Sequence, residues 1–431
     1  MKRYLVLVLG VLFVLSFAAI AFAQDKPEIK LGGELQIMGW YRNNIGITTR
    51  NPIDAPSSAF YNQRVKLGIE AKVSPNITGM IEFESIGTAD PLTGEGERFL
   101  WENFNAPQSA GVNFTQAWIL YKGSGLFGFP TGLKIGHIPA MLGHGKFWNH
   151  TRYGDDGIIL FADPNKQLHL GLITVKVDEN NLSAPPYSNA NDIDAYAAVV
   201  VYKLDDKNNI GINWVGTNCP DADAPTPTVA TSTHRQLNNL MLHGAGNVAG
   251  IGYKFETDFQ FGYKDIDTKY GGTGIFLEVG YKVDPVNLRV SFARGSGDAT
   301  PDDSKDRNFV AFQGPDMNVG TFLYEYQVKS AGITNNTSTA GITNTTAYNI
   351  GLDVSPTKDL TLSLDGYLLR ATKAVADGSK KVGTEVDAKL TYKVAKNLVY
   401  TVLAGYLNAD DFYAPNEKSA TAVRHELTLT F

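Results

Sequence analysis

Three histidines stand close together in one stretch of this chain: Gly136-His137-Ile138-Pro139-Ala140-Met141-Leu142-Gly143-His144-Gly145-Lys146-Phe147-Trp148-Asn149-His150. Imidazoles are frequent metal ligands, and Asp155 and Asp156 follow nearby. Spacings of seven and six match no compact metal motif, so His137, His144 and His150 are weak metal candidates and no metal or other cofactor is assigned. The acidic segment Pro301-Asp302-Asp303-Ser304-Lys305-Asp306 lacks the complete twelve-residue calcium pattern. Carboxylates two apart, such as Glu82 and Glu84, share one face of a strand and could in principle act as an acid–base pair. That pattern alone is thin support for catalysis. No G-x-S-x-G elbow, Gly-Lys-Ser/Thr phosphate loop or H-E-x-x-H helix occurs, and an enzyme is not expected. The lone Cys219 excludes an intramolecular disulfide and any cysteine-cluster metal site.

The elements that carry these residues are strands. After Arg64, Val65, Leu67, Ile69, Ala71 and Val73 share one face, while Arg64, Lys66, Gly68, Glu70 and Lys72 share the other. From 251, Ile251, Tyr253, Phe255, Thr257, Phe259, Phe261 and Tyr263 oppose Gly252, Lys254, Glu256, Asp258, Gln260, Gly262 and Lys264. Val386, Ala388, Leu390, Tyr392 and Val394 oppose Glu385, Asp387, Lys389, Thr391 and Lys393, and the chain ends on the same alternation. Period two of this kind marks half-apolar strands. They run longer than the average soluble strand of about 5–6 residues and match the roughly 9–11 that cross a bilayer at a tilt. Aromatics near their ends, such as Trp40 and Tyr41, Phe60 and Tyr61, Tyr263, Tyr281, Tyr392 and Phe431, suit girdles at the two membrane interfaces.

Connections alternate in length. Turns such as Ser74-Pro75-Asn76, Asp284-Pro285-Val286 and Ala395-Lys396-Asn397 are short. Long polar stretches lie between them, and short inner turns with long outer loops are expected of a membrane barrel but not of a sandwich. The fold class read from this is all-β: a transmembrane antiparallel β-barrel of 18 strands, with 16 open because 132–138 and 156–162 are short. The piece Thr321-Phe322-Leu323-Tyr324-Glu325-Tyr326 looks like a further strand. If it crossed, later short turns would move to the outer side, so 295–344 reads as one long external loop, either folded inward or lying on the surface.

The chain opens with Met1-Lys2-Arg3-Tyr4, an apolar run from Leu5 and Ala21-Phe22-Ala23, which reads as a cleaved signal peptide over 1–23 rather than a retained helix. Cleavage removes Lys2 and Arg3 from 38 basic residues against 44 acidic ones, taking the net charge from -6 to -8. An acidic chain is a poor nucleic-acid binder. No later run approaches 18 apolar residues, which excludes helical spans. The expected location is therefore the outer membrane of a Gram-negative cell, with residues 24–431 as a single barrel.

A spanning sheet must close to satisfy its backbone, and about 18 strands enclose more than side chains can fill. The pore-lining candidates are mixed in sign. The acids are Glu34, Glu70, Glu82, Glu84, Glu256, Asp258, Glu278, Glu385, Asp387 and Glu426. The bases are Arg42, Arg64, Lys66, Lys72, Lys254, Lys282, Arg289, Lys389, Lys393 and Arg424. Opposed rows would screen solutes by charge; equally, neighbours can pair within the wall. The near balance names no ion selectivity.

Over most of 28–431 the chain resembles the alginate-export, porin-like family of Gram-negative outer membranes. The resemblance rests on Gly132-Leu133-Lys134-Ile135-Gly136-His137, Leu142-Gly143-His144-Gly145, Asp156-Gly157-Ile158-Ile159-Leu160 and Ile350-Gly351-Leu352-Asp353-Val354-Ser355-Pro356. Gly383-Thr384-Glu385-Val386-Asp387 and the C-terminal Leu427-Thr428-Leu429-Thr430-Phe431 add to it. It implies a monomeric 18-stranded barrel set in lipid and lipopolysaccharide and handled by the barrel-assembly machinery. The family commonly has Arg where His137 stands, and an arginine-rich conduit is not legible here. The functional expectation is passive passage of small hydrophilic solutes or oligosaccharides. The alternative is a structural barrel sheathing a separate periplasm-to-surface protein, such as an electron carrier.

Overall fold

The computed structural model describes residues 27–44, 57–86, 99–100, 111–123, 128–178, 193–218, 236–265, 267–300, 303–312, 319–325, 341–374, 378–413 and 419–431. The expected signal peptide, 1–23, and Cys219 lie outside them. Eighteen long strands carry the fold. The first six are β1 Glu28–Asn43, β2 Ser58–Ser74, β3 Ile77–Ile86, β4 Gly111–Gly123, β5 Thr131–Ile138 and β6 Asp155–Ala162. Next come β7 Leu168–Asp178, β8 Ile193–Lys203, β9 Asn209–Asn218, β10 Gln236–Val248, β11 Ile251–Tyr263 and β12 Thr273–Val283. The last six are β13 Val286–Gly295, β14 Thr345–Thr357, β15 Leu360–Ala371, β16 Lys381–Ala395, β17 Leu398–Ala409 and β18 Ala420–Thr430. Two-residue ladders at Phe99–Leu100, Lys269–Tyr270 and Lys305–Asp306 decorate them.

Each strand pairs antiparallel with its sequence neighbours, and β1 also pairs with β18, from Glu34 opposite Thr430 to Asn43 opposite Thr421. That last pairing closes the sheet and leaves no long edge open. The short strands β5 and β6 pair along their full length, from Thr131 opposite Ala162 to Ile138 opposite Asp155, which settles 18 over 16. β13 pairs directly with β14, so no strand stands between them in the wall, and described residues 319–325 form a bend.

The alternation read from sequence is the inside–outside alternation of this wall. Leu240 and Leu242 are exposed while Asn239, Met241 and His243 between and beside them are buried. An exposed apolar face on a closed barrel is the face that meets hydrocarbon. The aromatic expectation needs a correction at two positions. Tyr41 and Tyr61 point outward, at 46% and 44% exposure, but Trp40 is 5% exposed and stacks on Phe60 and Phe322 inside. Neighbours along a strand face opposite ways, so only one of each aromatic pair can join a girdle.

The C-terminus is locked into the closing seam. Phe431 N–H donates to the Gly33 carbonyl at 3.1 Å, and Gly33 N–H donates back at 2.9 Å. A Cβ on Gly33 would sit 2.5 Å from the Phe431 ring, so glycine is required there for the ring to lie against β1. Two apolar clusters sit inside the barrel toward the long-loop end. One gathers Met38, Trp40, Phe322, Leu323, Tyr324, Leu369 and Leu407. The other gathers Leu142, Phe147, Trp148, Met241, Phe276, Phe309 and Phe312. Both contain loop residues, so the loops between β5 and β6 and between β13 and β14 fold against the inner wall.

Candidate functional site: the barrel interior

The interior divides into a shelf of loops and a charged wall. The shelf is anchored by carboxylates. On β11, Glu256 accepts the backbone N–H of Lys146 at 3.0 Å and that of His144. Beside it Asp258 accepts Asn239 Nδ2 at 2.8 Å. On β16, Glu385 accepts the N–H of Leu323 at 2.6 Å through one oxygen and that of Tyr324 at 2.9 Å through the other. Asp387 takes the N–H of Phe322 at 2.9 Å. A carboxylate that accepts successive backbone N–H groups makes charge-assisted bonds, stronger than neutral ones.

The two loops are tied to each other as well. Phe312 N–H donates to the Phe147 carbonyl at 2.8 Å, and the Phe312 ring lies 5.0 Å from Trp148 and 5.9 Å from Phe147. A continuous bridge therefore runs from β11 through the Gly143–Trp148 turn and the Phe309–Phe312 segment. Val319 packs on both apolar clusters and carries the bridge on to 319–325 and β16. Loop chemistry explains the turn. Gly143 and Gly145 have φ of +57° and +73°, the left-handed region that glycine reaches without strain. Burial depresses the pKa of His144 below its ordinary value, against the opposing effect of its Nε2–H bond to the Gly244 carbonyl at 2.9 Å. Burial likewise lowers the Lys146 ammonium, while Glu325 and Glu256 pull it back up.

Four of the charged candidates thus lie on the interior face but beneath the shelf. Glu256, Asp258 and Glu385 have no exposed surface and Asp387 little; Glu256, Glu385 and Asp387 hold loops, and Asp258 bonds Asn239 on the adjoining strand, so none faces open water. Arg42 is also buried, its guanidinium 4.4 Å from the Trp40 ring and 4.8 Å from Phe60.

The remaining charges pair along the wall. Arg64 meets Glu34 at 2.5 Å and Glu84 at 3.5 Å; Lys66 meets Glu82 and Glu84, each at 3.6 Å. Thr115 Oγ1 and Gln116 Nε2 donate to Glu82 at 2.7 and 3.2 Å. Glu70 meets Lys30 at 3.7 Å, and Lys254 meets Glu278 at 2.8 Å. Arg289 bridges Asp353 at 2.9 Å and Asp365 at 3.0 Å, and Arg424 meets Glu426 at 3.1 Å. Lys282 reaches Asp284 at 3.2 Å at a turn, and Lys72, Lys389 and Lys393 are exposed toward the short-turn end.

The histidines do not converge. His137 bonds Asp156 at 2.9 Å and the Tyr153 carbonyl at 2.6 Å, while His150 bonds Asp155 at 2.9 Å, which also accepts Trp148 Nε1 at 3.0 Å. Among the described residues no group of three His, Cys, Asp or Glu could hold a metal ion. The inward folding of 139–154 was not anticipated from sequence. Leu142, Phe147 and Trp148 were its signal, since large apolar residues in an otherwise polar loop need a surface to cover.

The wall, its closure and its inward loops can be set beside known structures. Acinetobacter baumannii OccAB2 superposes with a TM-score of 0.57 at 12% identity, over 94% of this chain and 98% of that one. This chain shares that closed β-barrel fold. Pseudomonas aeruginosa OccK2 (OpdF), solved in complex with glucuronate, gives 0.58 at 11% identity over 94% and 98%. Pseudomonas aeruginosa OccK9 (OpdG) gives 0.57 at 13% over 94% and 98%. No family model and no curated protein matches the chain. What stands of the sequence resemblance is its coarser part, the 18-stranded barrel fold; its alginate-export part gains no support from these comparisons.

Proposed function

We propose that this barrel is a passive channel in the Gram-negative outer membrane for small hydrophilic solutes, with its bore narrowed by the loop shelf between β11 and β16. The observation that carries this reading is the pairing of a closed wall, charged inside and apolar outside, with loops that are bonded inward. A closed 18-strand wall leaves a lumen, polar lumen groups hold water, and a shelf within it sets a size limit. The outer face would sit in lipid and lipopolysaccharide, and the C-terminal strand ending in Phe431 would present the barrel-assembly signal. No catalytic step is assigned to any residue.

The solute class follows less directly. Wall arginines Arg64, Arg289 and Arg424 are each bonded to carboxylates, which weakens the case for a polyuronate such as alginate. A sheath around a separate protein is the second reading. The shelf counts against it, because a threaded protein needs the bore that the shelf occupies.

Single-channel recording in planar bilayers tests the proposal, with reversal potentials in a salt gradient to give ion selectivity. Discrete conductance steps are expected; their absence across many insertions would sink the open channel. Liposome swelling with neutral sugars against glucuronate then ranks solutes.

A further inference from the structure

The charged wall contains a notch. Across β1, β2 and β3 the antiparallel register sets three rows on the inner face. Glu34 aligns with Lys66 and Glu84; Gly32 aligns with Gly68 and Glu82; Lys30 aligns with Glu70 and Met80. The middle row carries two cross-strand glycines, and a recess of about 490 Å³ opens over them. That volume lies in the range of small-molecule sites, roughly 300–1,000 Å³.

The backbone does not require these glycines. Neither has a left-handed φ. A Cβ on Gly32 would meet only the Phe431 carbonyl oxygen, at 3.4 Å, and a Cβ on Gly68 would meet the mobile methyl end of Met80 at 3.0 Å. Gly33 next door is different, since the Phe431 ring claims its space. Glycine inside a strand weakens the strand, and where packing does not explain it, close approach by another group does.

The rim is dipolar. The bond between Glu34 and Arg64, at 2.5 Å, neutralises one carboxylate. Glu84, which Arg64 and Lys66 also contact, is buried and does not line the recess, so the lining itself sets Lys30 and Lys66 against Glu70 and Glu82. The Lys30 contacts are long, 3.7 Å to Glu70 and 3.5 Å to Glu28, and its side chain is 62% exposed; Lys66 and Glu82 stand 3.6 Å apart and are more enclosed. The exposed Lys30 pairs hold weakly and can exchange partners, while Glu82, held also by Thr115 and Gln116, is a fixed acceptor on the other side. A lone cation or anion would meet as many like charges as opposite ones. A molecule carrying an ammonium and a carboxylate a few ångströms apart satisfies both signs together.

We infer that this notch is a weak binding station for small zwitterions, of the amino-acid type, on the inner wall toward the short-turn end. The inference rests on the channel reading above. Weak binding suits passage, because a station on a conduction path must release as readily as it binds.

The test compares alanine with lactamide, an uncharged isomer of the same size, on the full chain in planar bilayers. Each is titrated against the ion current. The expected result is saturation of the current change by alanine at roughly tenfold lower concentration than by lactamide. Gly68→Leu and Gly32→Leu, each of which fills the notch, are expected to bring the two isomers together. Equal titrations in the unsubstituted protein, or an alanine preference that survives either substitution in an inserted channel, overturn the notch while leaving the channel standing. Gly68→Ala serves if a leucine variant fails to insert; it is expected to narrow the preference, and an unchanged preference overturns the notch. Absence of any conductance in the unsubstituted protein removes the channel reading and the notch with it.

Discussion

Glu82 and Glu84 on β3, and Glu385 and Asp387 on β16, are the same pattern in sequence: two carboxylates two residues apart, turned to the inside of the barrel. Their partners differ. Glu82 and Glu84 meet Lys66 and Arg64 from the adjoining strand, at distances of 3.5–3.6 Å. Glu385 and Asp387 have loop backbone above them, and three successive N–H groups from Phe322, Leu323 and Tyr324 bond to three of their four oxygens. One pair belongs to the wall and its charge is balanced by side chains. The other is a tether whose oxygens are met by peptide N–H groups. A carboxylate pair on a barrel strand therefore has no fixed role. The neighbouring strand or the returning loop decides it, according to which supplies donors.

The widest separation between the two pairs is expected on deletion. Glu385→Ala with Asp387→Ala removes the acceptors of three buried N–H groups. Leaving a buried donor unmet costs about 1–3 kcal/mol, so the seated state loses on the order of 3 kcal/mol, roughly a hundredfold in its ratio to the released state. Single-channel conductance should rise and become noisy, and limited proteolysis should cut within 319–325. Glu82→Ala with Glu84→Ala should leave that segment protected. Equal protease sensitivity in both double variants would end the distinction.

The second tether gives a smaller version. Glu256→Ala frees the N–H groups of His144 and Lys146 at a single carboxylate, for an expected loss of about 2 kcal/mol in the seating of 139–154. Because Phe312 N–H is bonded to the Phe147 carbonyl, loosening should spread to 303–312, and amide hydrogen exchange should rise in both segments. Exchange confined to 139–154 would show that the loops are seated independently. On the wall, Glu82→Gln should shift the reversal potential toward anions while changing stability by less than about 1 kcal/mol, since the carboxylate is partly solvated. An unchanged reversal potential would place Glu82 off the conduction path.

Much of the barrel was legible because period-two alternation and loop parity are local signals. All 18 strands stood out from the pattern of residues such as Val65, Leu67, Lys66 and Glu70, and parity kept Thr321–Glu325 out of the wall. The roles of the charges were not legible in the same way. Whether Glu256 lines a bore or holds a loop depends on His144 and Lys146, more than a hundred residues earlier, and no local pattern reports a contact of that range. Trp40 failed for a related reason. Its partner Phe322 comes from a loop, so an aromatic near a strand end looked like a girdle residue when it was the floor under that loop. The clue available in sequence was Phe147-Trp148 within a polar loop, which called for an apolar surface somewhere inside.

The smallest expected effect separates the tethers by pH. His144 sits in the β11-anchored turn and has no counterpart among Phe322, Leu323 and Tyr324 over β16. Burial holds its pKa below the ordinary value, so the seated loop binds fewer protons than the released loop. Above an unfolded-state pKa of about 6.5 the imidazole is neutral in both states and contributes nothing pH-dependent. As pH falls below that, the released loop takes up a proton that the seated loop refuses, and release becomes more favourable until the seated histidine itself titrates. Acid should therefore loosen 139–154 most, reaching 319–325 only through the Phe312 and Val319 contacts. His144→Gln retains a donor for the Gly244 carbonyl and cannot titrate in this range. Between about pH 7.5 and pH 5, hydrogen exchange in 139–154 of the native chain should accelerate more than in His144→Gln once intrinsic exchange rates are divided out. Identical corrected pH profiles in the two proteins would remove His144 as a source of asymmetry between the tethers.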